Sequence, residues 1–257
     1  MCPTGLLSEN YSVSLVLNDQ NASFRSIRCA WSGASHHITQ RGVDRQLVFR
    51  TRMDRLVYLG LLRDQARLAD LPILAYCLMS NHIHLIAVPL EGAQLAEVVQ
   101  RVHGRYAQYF NARRARCGHL WQNRFSSCAL GPAHLWTALR YVELNPVRAG
   151  MVENAQEFEW SSTRAHLANQ DPQRLLDMDF WRREGGVSNW LQLLNEPEDE
   201  SHCRALRRAT YSGQPFGDEG FAERLRVLRS QLAQSGELRS NLEGGSEIAA
   251  AAGGMSH

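Results

Sequence analysis

The sequence predicts an α+β fold: one antiparallel sheet carrying helices in the order β-α-β-β-α-β-α, followed by a mostly helical extension. Three observations carry this expectation. Two apolar runs of strand length, Ile73–Met79 and His82–Val88, are joined by a Ser80-Asn81 turn. Two longer segments, after Thr51 and from Leu95, repeat their apolar residues at helical spacing. Pro89, Pro132 and Pro146 stand at the ends of these runs rather than inside them.

Taken in order, His36–Arg41 reads as a strand closed by Gly42. Thr51 with Asp54 has the form of a capping box, and Leu56, Leu59, Leu62 and Ala66 then follow one helical face. The 73–88 hairpin comes next. Leu95, Val98, Val99, Val102, Tyr106, Tyr109 and Phe110 predict a long helix to about Arg114. Phe125–Leu130 reads as a short strand. Pro132 suits the first turn of a helix through Leu135, Leu139 and Val142, which is expected to stop before Pro146. Further on, one helix is expected over Glu200 to Ala209. Asp218 can cap another that carries Phe221, Leu225, Leu228 and Leu232. Two helices joined by the Tyr211–Gly217 linker fit either a helix-turn-helix reader of DNA or a helical cap on the sheet.

These readings divide the chain into a weakly patterned segment 1–34, a main domain 35–165, a helical extension 166–235 and a Gly-, Ala- and Ser-rich tail 236–257 expected to be disordered. At 257 residues, with 44% hydrophobic and 21% charged, the chain can bury a core without disulfides or a structural metal. All 28 basic residues are Arg, and the chain has no Lys. A Walker A phosphate loop needs its Lys, so that nucleotidase class is excluded, and Schiff-base chemistry with it. The six cysteines form no C-x-x-C pair, which fits a reducing compartment. No run of 18 apolar residues and no signal-type N-terminus occurs, so a cytoplasmic protein away from the membrane is expected.

The net charge of +2 hides a division. Residues 101–150 hold a balance of +7, and residues 151–200 a balance of −7. The first suggests an anion-binding face; two solvated helical faces of opposite sign would give the same numbers. Arg113, Arg114, Arg116 and Arg124 surround Gly118–Phe125, where Trp121 and Phe125 add aromatic planes. Guanidinium groups with aromatic faces suit single-stranded or hairpin DNA, through phosphate contact and base stacking. Trp121 fits a core tryptophan under the long helix equally well. Arg41 fits a phosphate contact or a structural salt bridge, and His119 a phosphate contact or a plain loop residue.

The sharpest local signal is Asn81-His82-Ile83-His84-Leu85. Alternate strand residues share a face, so His82 and His84 point the same way and can meet one cation. Separately bonded histidines would look the same in sequence. On the helix after Pro132, Tyr141 and Asn145 stand four apart and share a face. In isolation they read as a buried ring and a helix-end cap.

In combination these segments are more specific. The sequence resembles the single-tyrosine HUH transposases, and among them the REP-associated tyrosine transposases of bacteria. The matching segments are His36-His37-Ile38-Thr39-Gln40-Arg41-Gly42, Met79-Ser80-Asn81-His82-Ile83-His84-Leu85, Tyr106 to Asn111, Gly118-His119-Leu120-Trp121-Gln122-Asn123-Arg124-Phe125, and Arg140-Tyr141-Val142-Glu143-Leu144-Asn145-Pro146-Val147-Arg148-Ala149-Gly150. The resemblance runs from about Ser35 to Thr163, and more loosely to about Leu232. Family members commonly carry a short basic, proline-containing segment before the first strand, which Met1–Ala34 does not show.

The resemblance implies an antiparallel HUH endonuclease sheet related to the ferredoxin-like and RNA-recognition-motif folds. It implies His82 and His84 as metal ligands, Asn145 as the polar residue completing the site, and Tyr141 as the nucleophile. The implied cofactor is a divalent metal, Mg²⁺ or Mn²⁺. The implied reaction is cleavage and rejoining of single-stranded DNA, at hairpin-bearing repeats, through a 5′-phosphotyrosine link. A phenol titrates near 10 in water, so it needs a nearby cation to act as a nucleophile. Tyr106 and Tyr109 are rival nucleophiles, although their spacing with Val99 and Val102 favours a core role. Three other readings stand beside this one: a relaxase- or replication-initiator-type nicking enzyme, a domesticated repeat-binding protein, and an H-x-H metallohydrolase. The last leaves Tyr141 and the arginine block without a role. Monomer and homodimer both remain open.

Overall fold

The computed structural model describes residues 12–13, 31–90, 92–184 and 188–231. Among the described residues six strands appear: β1 (Ser12–Val13), β2 (Trp31–Ser32), β3 (Ser35–Arg41), β4 (Ile73–Leu78), β5 (His82–Ala87) and β6 (Ser126–Leu130). The first two form a small pair of their own, and the other four make an antiparallel sheet in the order β4-β5-β3-β6. With helices on both faces, this is the α+β architecture that the residue pattern predicts.

Helix α1 (Arg52–Leu68) starts where Thr51 and Asp54 bond reciprocally to each other's backbone N–H, so the capping box is real. It packs with α2 (Gly92–Arg113) on one face of the sheet, where Ile38, Leu78, Ile83 and Leu85 meet Tyr58, Leu62, Val102, Tyr106 and Phe110. The opposite face receives α3 (Leu135–Glu143), whose Leu135, Ala138 and Leu139 are buried over Ala75, Cys77 and Ile86. Gly42 permits a tight corner after β3: a Cβ there would come within 2.5 Å of the Gln46 carbonyl oxygen.

The segment after Pro132 departs from the single helix expected. Pro132–His134 is a 3₁₀ turn, α3 ends at Glu143, and a separate short helix, α4 (Asn145–Arg148), contains Pro146 near its start. Proline is tolerated there because a first-turn N–H has no helical acceptor to lose. The last sheet strand also begins at Ser126, one residue later than expected.

Beyond the sheet come α5 (Thr163–Ala168), α6 (Met178–Arg183), α7 (Trp190–Asn195), α8 (Glu200–Ser212) and α9 over 219–231. Helix α8 is capped by Asp199, ends at Gly213 with φ 72°, and packs on β6, β3 and α3. Asp218 does cap α9, accepting from the Phe221 N–H at 2.7 Å. Phe221 and Leu225 are buried with Trp31, Ala34 and Ala129, so both helices lie against the sheet. Leu232, most of 1–34 and the whole of 236–257 lie outside the described residues.

One buried carboxylate ties this extension to α3. Glu143 accepts from Ser162 at 2.5 Å, His166 at 2.6 Å and Trp190 at 2.8 Å. Burial raises its carboxyl pKa, but His166 and the hydrogen bonds outweigh that and hold it below the ordinary value. Among the described residues no helix is long and apolar enough to cross a membrane.

Candidate functional site

The register of β3 and β5 builds the floor of the site. Arg41 stands opposite His82 and Thr39 opposite His84, so these side chains share the sheet face beneath α3. His37 follows two residues before Thr39 on the same face. The His82 and His84 rings lie 5.0 Å apart between centroids. The two histidines read from strand alternation therefore do stand together.

Tyr141 comes down from α3 onto this floor. Its ring meets His84 edge-on at 5.8 Å and His37 edge-on at 5.7 Å. Asn145, from α4, turns its amide N–H groups to the carbonyls of Tyr141 at 3.0 Å and Val142 at 3.3 Å. That fixes the amide and leaves Oδ1 as an acceptor. All of these groups line one cavity of about 450 Å³.

The histidines are built to stay neutral. Burial, and then the Arg41 charge, lower His82 to about 4. Burial and the neighbouring His82 and His37 hold His84 well below the ordinary 6.5. Asn81 donates to the Arg45 carbonyl at 3.2 Å, so its Oδ1 is the acceptor of the 2.6 Å bond from His82 Nδ1. The neutral His82 ring then keeps its lone pair on Nε2.

Two imidazoles and an amide oxygen fit a divalent metal in kind, though weakly, because every donor is neutral. No carboxylate lines the cavity, while Arg41, Arg148 and Arg207 do. Among the described residues there is no grouping of three or more His, Cys, Asp or Glu suited to a metal. An anionic ligand brought by a substrate would complete the donor set.

The cationic side chains here are not all the expected ones. Arg148 lies over the Tyr141 ring at 4.1 Å, donates to the Tyr141 carbonyl and pairs with Glu198 at 2.6 Å. Arg207, from α8, donates to the Tyr141 hydroxyl at 3.1 Å. The Nε–H groups of Arg41 and Arg148 are buried without a hydrogen-bond partner. Both residues line the cavity, and guanidinium groups suit a phosphate.

None of the arginines around Gly118–Phe125 lines this cavity. Arg114 pairs with buried Asp54 at 2.6 Å and lies over Phe110 at 4.0 Å, so it serves the α1–α2 layer and not a phosphate. Arg116 bonds Gln46 in the same region. Trp121 packs on His103 at 4.6 Å and donates to the His103 carbonyl, which corrects the stacking role to a core one. Its exposed neighbour Arg124 follows Gln122, whose N–H reaches the Arg41 carbonyl at the end of β3. Arg113 is exposed on the α2 side. Tyr106 is fully buried there and donates to the Val48 carbonyl, across the sheet from the histidines. Burial pushes the phenols of both Tyr106 and Tyr109 up, and Tyr109 is turned to Asp54. His119 is exposed.

Sequence reasoning overlooked His37, Arg148 and Thr210 in the cavity wall and did not place Arg207 there. His37 has a signal, since it shares the alternation phase of Thr39 and Arg41. The other three reach the cavity through tertiary packing alone.

Residues 30–145 match the model of the family described as "Transposase IS200 like". No curated protein matches the chain. Among solved structures, a REP-associated tyrosine transposase bound to a REP hairpin is similar at 17% identity and a TM-score of 0.43, over 61% of this chain and 90% of that one. A candidate transposase from Deinococcus radiodurans R1 is similar at 18% identity and a TM-score of 0.32, over 42% of this chain and 88% of that one.

Proposed function

Residues 30–145 match the model of the IS200-like transposase family, and from that similarity we propose that the chain is a member that cuts and rejoins single-stranded DNA through Tyr141. The observation that carries this reading is the meeting of Tyr141, His82, His84 and Asn145 in one cavity rimmed by Arg41, Arg148 and Arg207.

In this reading the guanidinium groups of Arg41 and Arg148 receive the scissile phosphate, and Arg207 aims the Tyr141 hydroxyl. The Tyr141 oxygen attacks phosphorus, and its proton leaves to solvent in the cavity. The bond from phosphorus to the 3′-oxygen breaks, and that oxygen takes up a proton as a 3′-OH. The product is a 5′-phosphotyrosine ester. Its bond energy is retained, so a 3′-OH can reverse the step without a nucleotide cofactor. His82, His84 and Asn145 would hold Mg²⁺ or Mn²⁺, which when bound would supply Lewis-acid polarisation of the phosphate. Hairpin-bearing single strands are the substrate class, with Arg124 as an added phosphate contact beside Arg41.

The experiment is incubation with labelled single-stranded hairpin DNA and Mn²⁺, followed by denaturation. A protein–DNA adduct that needs the metal supports the reading. Water-dependent cleavage with no adduct would turn it toward a metallohydrolase, and binding without cleavage toward a repeat-binding protein.

A further inference from the structure

We propose that His37 is a positioning residue that holds His84 in the tautomer with its lone pair on Nε2, and that Thr210 of α8 fixes His37 in turn. The proposal rests on the reading of His84 as a metal ligand.

The argument is a count of protons along one chain of hydrogen bonds. Thr210 Oγ1 donates to the Leu206 carbonyl at 2.8 Å. A hydroxyl has one proton, so toward His37 Nδ1, at 2.7 Å, it is the acceptor. His37 therefore carries its proton on Nδ1. Its Nε2 lone pair faces His84 Nδ1 at 3.0 Å. Two lone pairs at that distance would repel, so His84 Nδ1 carries the proton and Nε2 is left bare. His82 reaches the same tautomer through Asn81, so both rings turn the same nitrogen outward.

Geometry reinforces the count. The His37 and His84 rings lie within 6° of parallel, with centroids 5.2 Å apart, and both are buried. Neither ring can rotate without losing one of these bonds. A metal-binding histidine is commonly held by a partner on its second nitrogen, often a carboxylate. Here the partner is a neutral imidazole, which orients His84 without adding negative charge beside the phosphate.

Arg207 and Thr210 stand three apart on α8, so one helix face touches both Tyr141 and His37, the residue behind His84. The helix lies outside the segment 30–145 that matches the family model.

The test uses the whole chain and Thr210→Val, which keeps the shape and removes the acceptor. Ring ¹⁵N shifts without metal report the tautomers, and calorimetry with Mn²⁺ plus a hairpin oligonucleotide reports affinity. The expected result is Nδ1-protonated His37 and His84, with Mn²⁺ affinity about tenfold weaker in Thr210→Val and restored in Thr210→Ser. An unchanged unfolding midpoint in Thr210→Val would separate this from loss of fold. His84 protonated on Nε2, or Thr210→Val and His37→Phe binding Mn²⁺ like the parent, would overturn the proposal. If the parent binds no Mn²⁺ but Thr210→Val still shifts the His84 tautomer, the bond chain stands and the metal reading fails.

Discussion

Arg207 Nε reaches the Tyr141 hydroxyl at 3.1 Å, although the two residues lie 66 positions apart in the chain. In the proposed reaction a fixed positive charge at that point would offset negative charge on the attacking oxygen and on phosphate. Arg207→Gln is expected to slow adduct formation by about a hundredfold in single turnover. DNA affinity should fall far less, as for one lost phosphate contact. An unchanged rate would make Arg207 a packing residue.

The proposed donor set, His82, His84 and Asn145, is uncharged, and Arg41, Arg148 and Arg207 line the same cavity. Mn²⁺ should therefore bind weakly to the protein alone and more tightly with single-stranded DNA present. Titration calorimetry with and without a hairpin oligonucleotide checks this, and His82→Ala should abolish the difference. Equal affinity in His82→Ala and parent would make His82 structural.

Arg114 and Arg124 should behave oppositely. Arg114→Ala strands the Asp54 carboxylate in the core and is expected to cost about 3 kcal/mol of stability. Arg124→Ala should leave the unfolding midpoint unchanged and flatten the salt dependence of DNA binding by about 0.7 in log–log slope. Denaturant melts and binding at several salt concentrations read both.

Buried histidines set an acid limit. Burial lowers His36 to about 4 and His37 and His103 to about 3, against 6.5 when free. Between those values the unfolded chain binds protons that the folded one refuses, so stability falls as pH drops below 6.5. Each ring contributes at most about 1.4 kcal/mol per pH unit. Glu143 acts in the same direction only at lower pH, because its depressed carboxyl protonates later than in the unfolded chain. Urea melts between pH 7 and pH 5 should show a falling midpoint; a flat profile would mean that these rings take up protons without unfolding.

Sequence pattern made the sheet, its two α1–α2 helices and the 82/84 pair legible because each depends on a local period. Tyr141 and Asn145 were found by helical spacing, yet they sit on two helices, and the Asn145 amide restores the proximity that the break at Leu144 would have cost. Charge density misled for Arg114 and Arg116, since a run of arginines does not say which of them face a buried acid or amide. Arg148, Arg207 and Thr210 were not legible as site residues: their places depend on how α4 and α8 dock on the sheet, and no short-range pattern encodes that.

The most direct measurement is to digest the denatured protein–DNA adduct and locate the attached nucleotide by tandem mass spectrometry. The account predicts a 5′-phosphodiester on the peptide containing Tyr141, and no adduct from Tyr141→Phe under conditions where that variant still binds DNA. A nucleotide on the peptide containing Tyr106 or Tyr109, or an adduct that persists in Tyr141→Phe, would contradict it.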